Sequence, residues 1–198
     1  MAATERSDSA RREWRAALAD RDPSRFVFLD ESSTNVCLTP AYAWAPRSQR
    51  AHGTAPRNHG QNTTLVAALT PTGLQAPMTL LGAMDSDAFA AYVREFLLPT
   101  LTPGTIVILD NLSVHKRADI RALVDAAGCQ LVFLPPYSPD FNPIELVFSK
   151  LKTRLRRLAA RTQVALEEAI AEALTTISAH DAIHDFAHCG YQLKDQSL

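Results

Sequence analysis

The sequence has little of what marks a secreted, membrane-spanning or strongly basic protein. Its three cysteines, Cys37, Cys129 and Cys189, are widely spaced, form no CxxC pair and give no even set for disulfides, which favours a reducing compartment. No apolar stretch reaches the roughly 18 residues that a membrane span needs. The charged start also lacks the apolar core of a secretion signal, so we expect a cytoplasmic chain.

Net charge is nearly absent as well, at −1, which argues against a uniformly basic binder of nucleic acid. The charges are nevertheless unevenly distributed. Residues 150–161 contain six basic side chains and no acidic one, whereas residues 162–198 contain six acidic side chains and one lysine. The sequence therefore combines a local basic strip with an acidic C-terminal part.

The length of 198 residues suits one domain with its own hydrophobic core. Three short apolar runs predict buried strands: RFVFLD (25–30), TIVILD (105–110) and QLVFLP (130–135). Residues 63–70 and 74–81 predict a hairpin around Pro71–Gly73, and NVCL (35–38) is interpreted as a hairpin partner of the first strand.

Helical patterns separate the later strands. We predict helices at residues 10–21, from Ser86 to about Leu97, at 116–127 with Gly128 as terminator, from Asn142-Pro143 to about Ala160, at about 163–178, and ending at Gly190. The order is three strands in a meander, then helix, strand, helix, strand and helix. Early pairs should be antiparallel and later ones parallel. This predicts an α/β protein with a mixed five-stranded sheet flanked by helices, which matches a ribonuclease H-like fold.

Asp30 and Asp110 each end a predicted buried strand. If the two strands are neighbours, the carboxylates converge and repel each other, and a divalent cation relieves that repulsion. Oxygen ligands of this kind suit Mg²⁺, and a pair of such ions can activate the attacking oxygen and stabilise the leaving one at a phosphodiester. The alternative is that each aspartate only begins a turn or caps a helix, and Glu31 is a rival to Asp30.

Glu145 is ambiguous on local pattern alone. In Asn142-Pro143-Ile144-Glu145, asparagine is a good helix N-cap, proline suits the first helical position, and the glutamate falls where a capping box places it. By this pattern a structural cap is favoured over a metal ligand.

Five segments together carry a family resemblance: FLDES (28–32), AYAWAPRSQR (41–50), ILDNLSVHK (108–116), LPPYSPDFNPIELVFSKLK (134–152) and HCGY (188–191). They resemble the DDE transposases, specifically the bacterial insertion-sequence branch of the mariner superfamily. The 34 residues between Asp110 and Glu145 are typical of that branch. The resemblance implies a catalytic domain at residues 25–191, preceded by a tail and short helix (1–24) and followed by a tail (192–198).

The resemblance also implies the chemistry. Asp30, Asp110 and Glu145 would be the catalytic residues and would hold two Mg²⁺ ions, with Mn²⁺ as a substitute. The enzyme would cleave transposon ends and transfer the 3′-hydroxyl to target DNA, as a homodimer beside the bacterial nucleoid. Two alternatives remain open: a ribonuclease H-like nuclease that only hydrolyses, and an inactive remnant that binds DNA or a partner.

Only about 24 residues precede the first catalytic strand, which is too few for the helix-turn-helix region usual in the family. We therefore expect that the module that reads the transposon ends lies in a missing part of the chain or in a partner reading frame.

Several basic residues are candidates for DNA contact. Lys150, Arg154 and Arg157 share one face of the predicted long helix and Lys152 lies on another; contact with phosphates is favoured over a solvated face because the strip has no balancing acids. Arg47 and Arg50, in a long loop that contains Trp44, are further candidates.

Histidines raise two smaller questions. His115 lies five residues after Asp110 and either approaches the metal site or a phosphate, or caps the following helix. His180, His184 and His188 recur at helical spacing, which favours a packing helix over a zinc site.

Overall fold

The computed structural model describes residues 6–40, 42–111 and 117–193. Five strands follow in chain order: β1 (Phe26–Thr34), β2 (Thr63–Thr70), β3 (Gly73–Leu81), β4 (Ile106–Leu109) and β5 (Gln130–Phe133). The α-helices of this described part are α1 (Asp8–Leu18), α2 (Ser86–Tyr92), α3 (Ala118–Ala126), α4 (Pro143–Leu158), α5 (Gln163–Leu174) and α6 (Ala179–His188).

The strands form one mixed sheet in the order β3-β2-β1-β4-β5. Strands β1, β2 and β3 pair antiparallel, whereas β1, β4 and β5 pair parallel through the helical crossovers. The predicted order of elements and the change from antiparallel to parallel pairing are both confirmed. The central position of β1 follows from its apolar run, which is buried on both faces.

Side chains alternate between the two faces of the central strand. Phe26 and Phe28 pack in one hydrophobic cluster with α4, α5 and α6, and Val27 and Leu29 pack in a second cluster with α2 and α3. The sheet is therefore covered on both sides, and the face of any residue on β1 can be read from its number.

The interpretation of NVCL (35–38) as a hairpin partner of β1 is wrong. Strand β1 instead continues to Thr34 and pairs with β2, with Thr34 opposite Thr63. The chain then turns at Asn35, whose side-chain oxygen accepts a hydrogen bond of 3.0 Å from the Cys37 N–H. Asp30 consequently lies inside β1 rather than at its end.

Helix boundaries differ from the prediction where capping residues decide them. Helix α2 is capped by Asp85 rather than Ser86, because the Asp85 carboxylate accepts from the N–H groups of Asp87 and Ala88. Beyond α2 the chain continues through a π-helical turn, Val93–Leu97. Gly128, with φ of +71°, ends α3 as predicted, since a left-handed residue there favours glycine.

Helix α1 packs against the start of α4 and the C-terminal part of the chain. The Trp14 ring stacks on Phe141, with ring centroids 5.4 Å apart, and meets Tyr191 edge-on. The predicted domain boundary near residue 25 stays a prediction. None of the helices in the described part of the chain has the length and apolarity required to cross a bilayer.

Candidate active site

Asp30 and Asp110 lie side by side where the parallel ladder between β1 and β4 ends. The last pair of this ladder is Leu29 opposite Leu109, and each aspartate is the next residue along its chain. Asp30 is buried, with 8% of its surface exposed, and Asp110 is half-buried. The prediction that the two strands are neighbours and bring the aspartates together is therefore confirmed.

The face of the sheet separates Asp30 from its rival Glu31. Asp30 shares the face of Phe26 and Phe28, which is covered by α4, and it accepts a hydrogen bond from Asn142 at the start of that helix. Glu31 belongs to the opposite face, where its charge adds to burial in raising the pKa of the Tyr92 hydroxyl. Only Asp30 is thus directed toward the elements that carry the other candidate acids.

Both carboxylate oxygens of Asp30 accept hydrogen bonds. The backbone N–H of Glu31 donates to Oδ1 at 2.8 Å, and Nδ2 of Asn142 donates to Oδ2 at 2.8 Å. Burial nevertheless raises the pKa of Asp30 to about 7; the Glu31 N–H opposes this rise, and the charges of Glu145 and Asp110 add to it. The negative form is therefore unfavourable in the isolated protein, and a nearby cation would stabilise it.

Glu145 lies in the first turn of α4, with its side chain exposed. The helix begins as predicted, with Asn142 at the N-cap and Pro143 at the first helical position. However, the Asn142 side chain makes no hydrogen bond to the first turn, so Asn142 occupies the predicted N-cap position without forming the side-chain cap. The effect of the Glu145 charge on the Asp30 pKa places the third acid near the first.

Asp110, Asn142 and Glu145 line one cleft, with a volume of about 350 Å³. The loop before α4 forms its other wall, through Pro135, Pro136, Tyr137, Ser138 and Pro139. Within residues 6–40, 42–111 and 117–193, no three His, Cys, Asp or Glu side chains are grouped closely enough to enclose a single ion. Asp110 and Glu145 therefore share a cleft that Asp30 does not line, and Asn142, which does line it, is hydrogen-bonded to Asp30.

The basic strip on α4 is partly neutralised, so the expectation that it has no balancing acids is wrong. Nζ of Lys150 lies 2.5 Å from an Asp181 carboxylate oxygen on α6, and Arg154 lies 2.7 Å from Glu172 on α5. Asp181 and Glu172 belong to the acidic C-terminal part of the chain, whose helices α5 and α6 pack against α4. Lys152 and Arg157 have no such ion pair within the described residues.

Arg47 and Arg50 are exposed in the long loop between β1 and β2, as is Trp44. The loop is anchored by Arg161, whose guanidinium donates to the carbonyl oxygens of Val36, Leu38 and Thr54. Arg161 thus has a structural role that its place in the basic strip does not reveal.

The three histidines of α6 do not line the cleft. His115 lies outside the described residues. His180, His184 and His188 are exposed on α6, while the buried side of the helix consists of Ala182 and Phe186, which supports the interpretation as a packing helix. Cys189 is buried, and burial raises the pKa of its thiol to about 12, as expected for a thiol with a packing role.

Sequence reasoning missed two contacts that hold the start of α4. Arg11 of α1 donates to both carboxylate oxygens of Asp140, at 2.9 and 2.5 Å, and lies over the Phe141 ring at 3.8 Å. The Tyr191 hydroxyl donates to the Phe141 carbonyl at 2.7 Å. The second contact gives the HCGY segment a physical role, whereas the first pairs residues so distant in sequence that no local signal marks it.

Residues 25–167 match the family model described as DDE superfamily endonuclease. The chain belongs to this family. It is also 22% identical over 147 residues to the Transposable element Tc1 transposase of Caenorhabditis elegans, a match that covers 69% of this chain and 54% of that protein. The relationship to DDE transposases of the Tc1 and mariner type is therefore confirmed, and assignment to the bacterial branch stays a prediction.

Solved structures of the Mos1 transposase share the fold. The pre-cleavage Mos1 transpososome matches with a TM-score of 0.73 and 15% identity, over 93% of this chain and 58% of that one. The catalytic domain of Mos1 mariner transposase matches with a TM-score of 0.65 and 12% identity, over 91% and 85%. These matches confirm the ribonuclease H-like fold. Two further Mos1 paired end complexes are described with Mn and with Mg.

The chain spans little more than half the length of the Tc1 protein and of the Mos1 chain in the transpososome.

Proposed function

We propose that this chain is the catalytic domain of a cut-and-paste DNA transposase, which cleaves transposon ends and transfers the freed 3′-hydroxyl to target DNA. The observation that carries the proposal is the placement of three acids at one end of the sheet. Asp110 and Glu145 line one cleft, and Asp30 follows the last pair of the β1–β4 ladder and accepts a hydrogen bond from Asn142 of that cleft. The match of residues 25–167 to the DDE superfamily endonucleases supports it.

Asp30, Asp110 and Glu145 would hold two Mg²⁺ ions, with Mn²⁺ as a substitute. The donor set fits such ions, because all three residues supply carboxylate oxygens, Asp30 and Asp110 both follow the last pair of the β1–β4 ladder, and Asp110 shares its cleft with Glu145. When bound, the ions would lower the pKa of a water and stabilise the charge that develops on the leaving oxygen.

The protein's own share of the work is positioning. Adjacent strands of a buried sheet position Asp30 and Asp110, and the first turn of α4 positions Glu145, so the backbone would set the relative places of the three acids. The segment Pro135–Pro139 forms one wall of this cleft. No serine or cysteine nucleophile is needed, since each step is a direct displacement at phosphorus.

Basic side chains near the cleft would bind the DNA backbone. On α4, Lys152 and Arg157 have no ion pair within the described residues and are the stronger candidates, whereas Lys150 and Arg154 must first exchange carboxylates for phosphates. Arg47 and Arg50 in the exposed loop are further candidates, together with His115.

The assembly would be a homodimer that holds two transposon ends, in keeping with the paired end complexes of Mos1. A helix-turn-helix module in another segment or reading frame would recognise the ends. For a bacterial element, the reaction would take place in the cytoplasm beside the nucleoid.

The test is cleavage and joining of labelled transposon-end DNA with Mg²⁺. Parent protein should nick the end and join its 3′-hydroxyl to target DNA, and Asp110→Ala should abolish both steps while the circular dichroism spectrum is unchanged. Equal cleavage by the variant and the parent would show that the metal-site assignment is wrong. Cleavage without joining would instead favour a nuclease that only hydrolyses.

A further inference from the structure

Asn142 links the helix that carries Glu145 to the strand that carries Asp30. Its side chain is buried, with 3% of the residue exposed, and its Nδ2 donates to Oδ2 of Asp30 at 2.8 Å across 112 positions of sequence. It also lines the cleft shared by Asp110 and Glu145. The Asn142 side chain thus contacts Asp30 and lines the cleft that contains Asp110, and Asn142 lies about one helical turn before Glu145.

The Asn142 side chain does not do what its position favours. Asparagine is among the best N-cap residues, because its oxygen accepts from the free N–H groups of the first turn. Other helices of this chain use that bond, with caps at Ser7, Asp85, Thr162 and Ser178. At α4 the cap bond is absent, and Oδ1 of Asn142 is buried without a hydrogen-bond partner within the described residues.

A buried acceptor without a partner is unfavourable, so its persistence calls for a specific explanation. The amide is directed away from the first turn and toward Asp30. In this orientation the helix loses its cap hydrogen bond, and Oδ1 of Asn142 has no hydrogen-bond partner in the described part of the chain. Stability of α4 alone does not account for this choice, because a side chain that capped the helix would satisfy the same oxygen.

The backbone around Asn142 is held from two sides. The Tyr191 hydroxyl donates to the carbonyl of Phe141, at 2.7 Å, and Arg11 binds both carboxylate oxygens of Asp140. The residues immediately before Asn142 are therefore anchored to the C-terminal part and to α1. This anchoring fixes the point from which the amide reaches Asp30.

We propose that Asn142 is a positioning residue that holds the Asp30 carboxylate in the orientation required to share cations with Asp110 and Glu145. The inference rests on the proposed function, since it takes these three acids to be the cation ligands. With the Glu31 N–H on one oxygen and Asn142 on the other, Asp30 cannot rotate, yet each oxygen keeps a lone pair for an ion. Hydrogen bonds to ligating carboxylates orient metal ligands in this way and tune their affinity.

The test is a Mn²⁺ titration of the whole chain, with free Mn²⁺ measured by electron paramagnetic resonance. Asn142→Ser keeps an N-cap side chain but is too short to reach Asp30. We expect its thermal melting to stay near that of the parent, and its Kd for Mn²⁺ to rise about 10- to 100-fold, the usual effect of losing such a partner. Asn142→Ala gives the same measurement should the serine variant fail to fold.

Thr162→Ala is the matched control, because it removes an N-cap hydrogen bond, to the Ala165 N–H, at the start of a different helix. We expect this variant to melt at a lower temperature and to keep its Mn²⁺ Kd within about twofold, since distant sites act independently. The control separates a loss of helix stability from a loss of ligand orientation.

Three outcomes are distinguishable with Asp110→Ala measured alongside. If Asp110→Ala and Asn142→Ser both weaken Mn²⁺ binding, the proposal is supported. If Asp110→Ala weakens binding and a folded Asn142 variant binds like the parent, the positioning role is refuted while the proposed function stands. If Asp110→Ala binds Mn²⁺ like the parent, the metal site of the proposed function is wrong, and the role of Asn142 is refuted with it.

Discussion

Replacing Asp30 with asparagine should make the metal-free protein more stable, although it removes a proposed cation ligand. Asp30 is 8% exposed, and burial, with the charges of Glu145 and Asp110, raises its pKa from 3.8 to about 7. Asparagine has nearly the same shape and carries no charge. The Asn142 amide can also turn over in the variant, so that its unpaired Oδ1 accepts from the new carboxamide.

The size of the effect follows from the pKa. A shift of about three units corresponds to about 4 kcal/mol, because each unit is worth about 1.36 kcal/mol. This is the free energy by which charged Asp30 destabilises the folded state relative to the unfolded chain. Removal of the charge should therefore raise the free energy of unfolding by about 3–5 kcal/mol at alkaline pH, which is about 6–20 °C in Tm for a domain of this size.

The extra stability of the asparagine variant should increase as pH rises. The folded state holds the Asp30 proton more tightly than the unfolded state, so the parent loses stability as pH rises from about 4 to about 7. The asparagine variant has no such group. The difference in unfolding free energy between variant and parent should be near zero below about pH 4 and should reach its maximum above about pH 7.

Urea unfolding, followed by circular dichroism in EDTA at about pH 4, 6 and 8, measures this difference directly. Asp20→Asn, at an exposed position, is the matched control and should change the unfolding free energy by at most about 0.5 kcal/mol. A variant no more stable than the parent at alkaline pH would show that the Asp30 charge does not destabilise the fold, as would an equal gain at all three pH values.

Three further predictions test the surroundings of the site. Arg11→Ala should lower the unfolding free energy by about 2–3 kcal/mol in thermal melts, because it removes a charge-assisted ion pair and a cation–π contact; solvent around the half-exposed Asp140 limits the loss. Arg11 lowers the pKa of Asp140, so this loss of stability should become smaller as pH falls below about 4. Lys152→Ala and Arg157→Ala should each reduce the salt dependence of DNA binding by about one unit of slope, and Lys150→Ala by less, in fluorescence anisotropy titrations. Mn²⁺ should raise the Tm of the parent, and EDTA should reverse that rise, because a ligand of the folded state stabilises it.

Much of the fold could be predicted because it depends on local patterns. The apolar runs at β1 and β4 and the turn after β2 are explicit in the sequence, and parallel pairing follows from the helical crossovers. The end of β1 could not be predicted, because residues 31–34 are polar and are held as a strand only by pairing with β2.

The three acids of the candidate site could be predicted from the sequence, but the contacts of the residues around them could not. Asp30 and Asp110 follow apolar runs, and Glu145 belongs to a recognisable segment. The direction of the Asn142 side chain depends on a choice between a local cap and a carboxylate 112 positions away, which sequence spacing does not decide. In the same way, the neutralisation of Lys150 depends on how α6 folds back along α4.

Anomalous diffraction from a crystal saturated with Mn²⁺ would locate the metal ions themselves. We expect manganese peaks bounded by the carboxylates of Asp30, Asp110 and Glu145, at the cleft beside the start of α4. A saturated crystal with no peak there, or with manganese bound only elsewhere, would contradict the assignment of these three acids as the metal site.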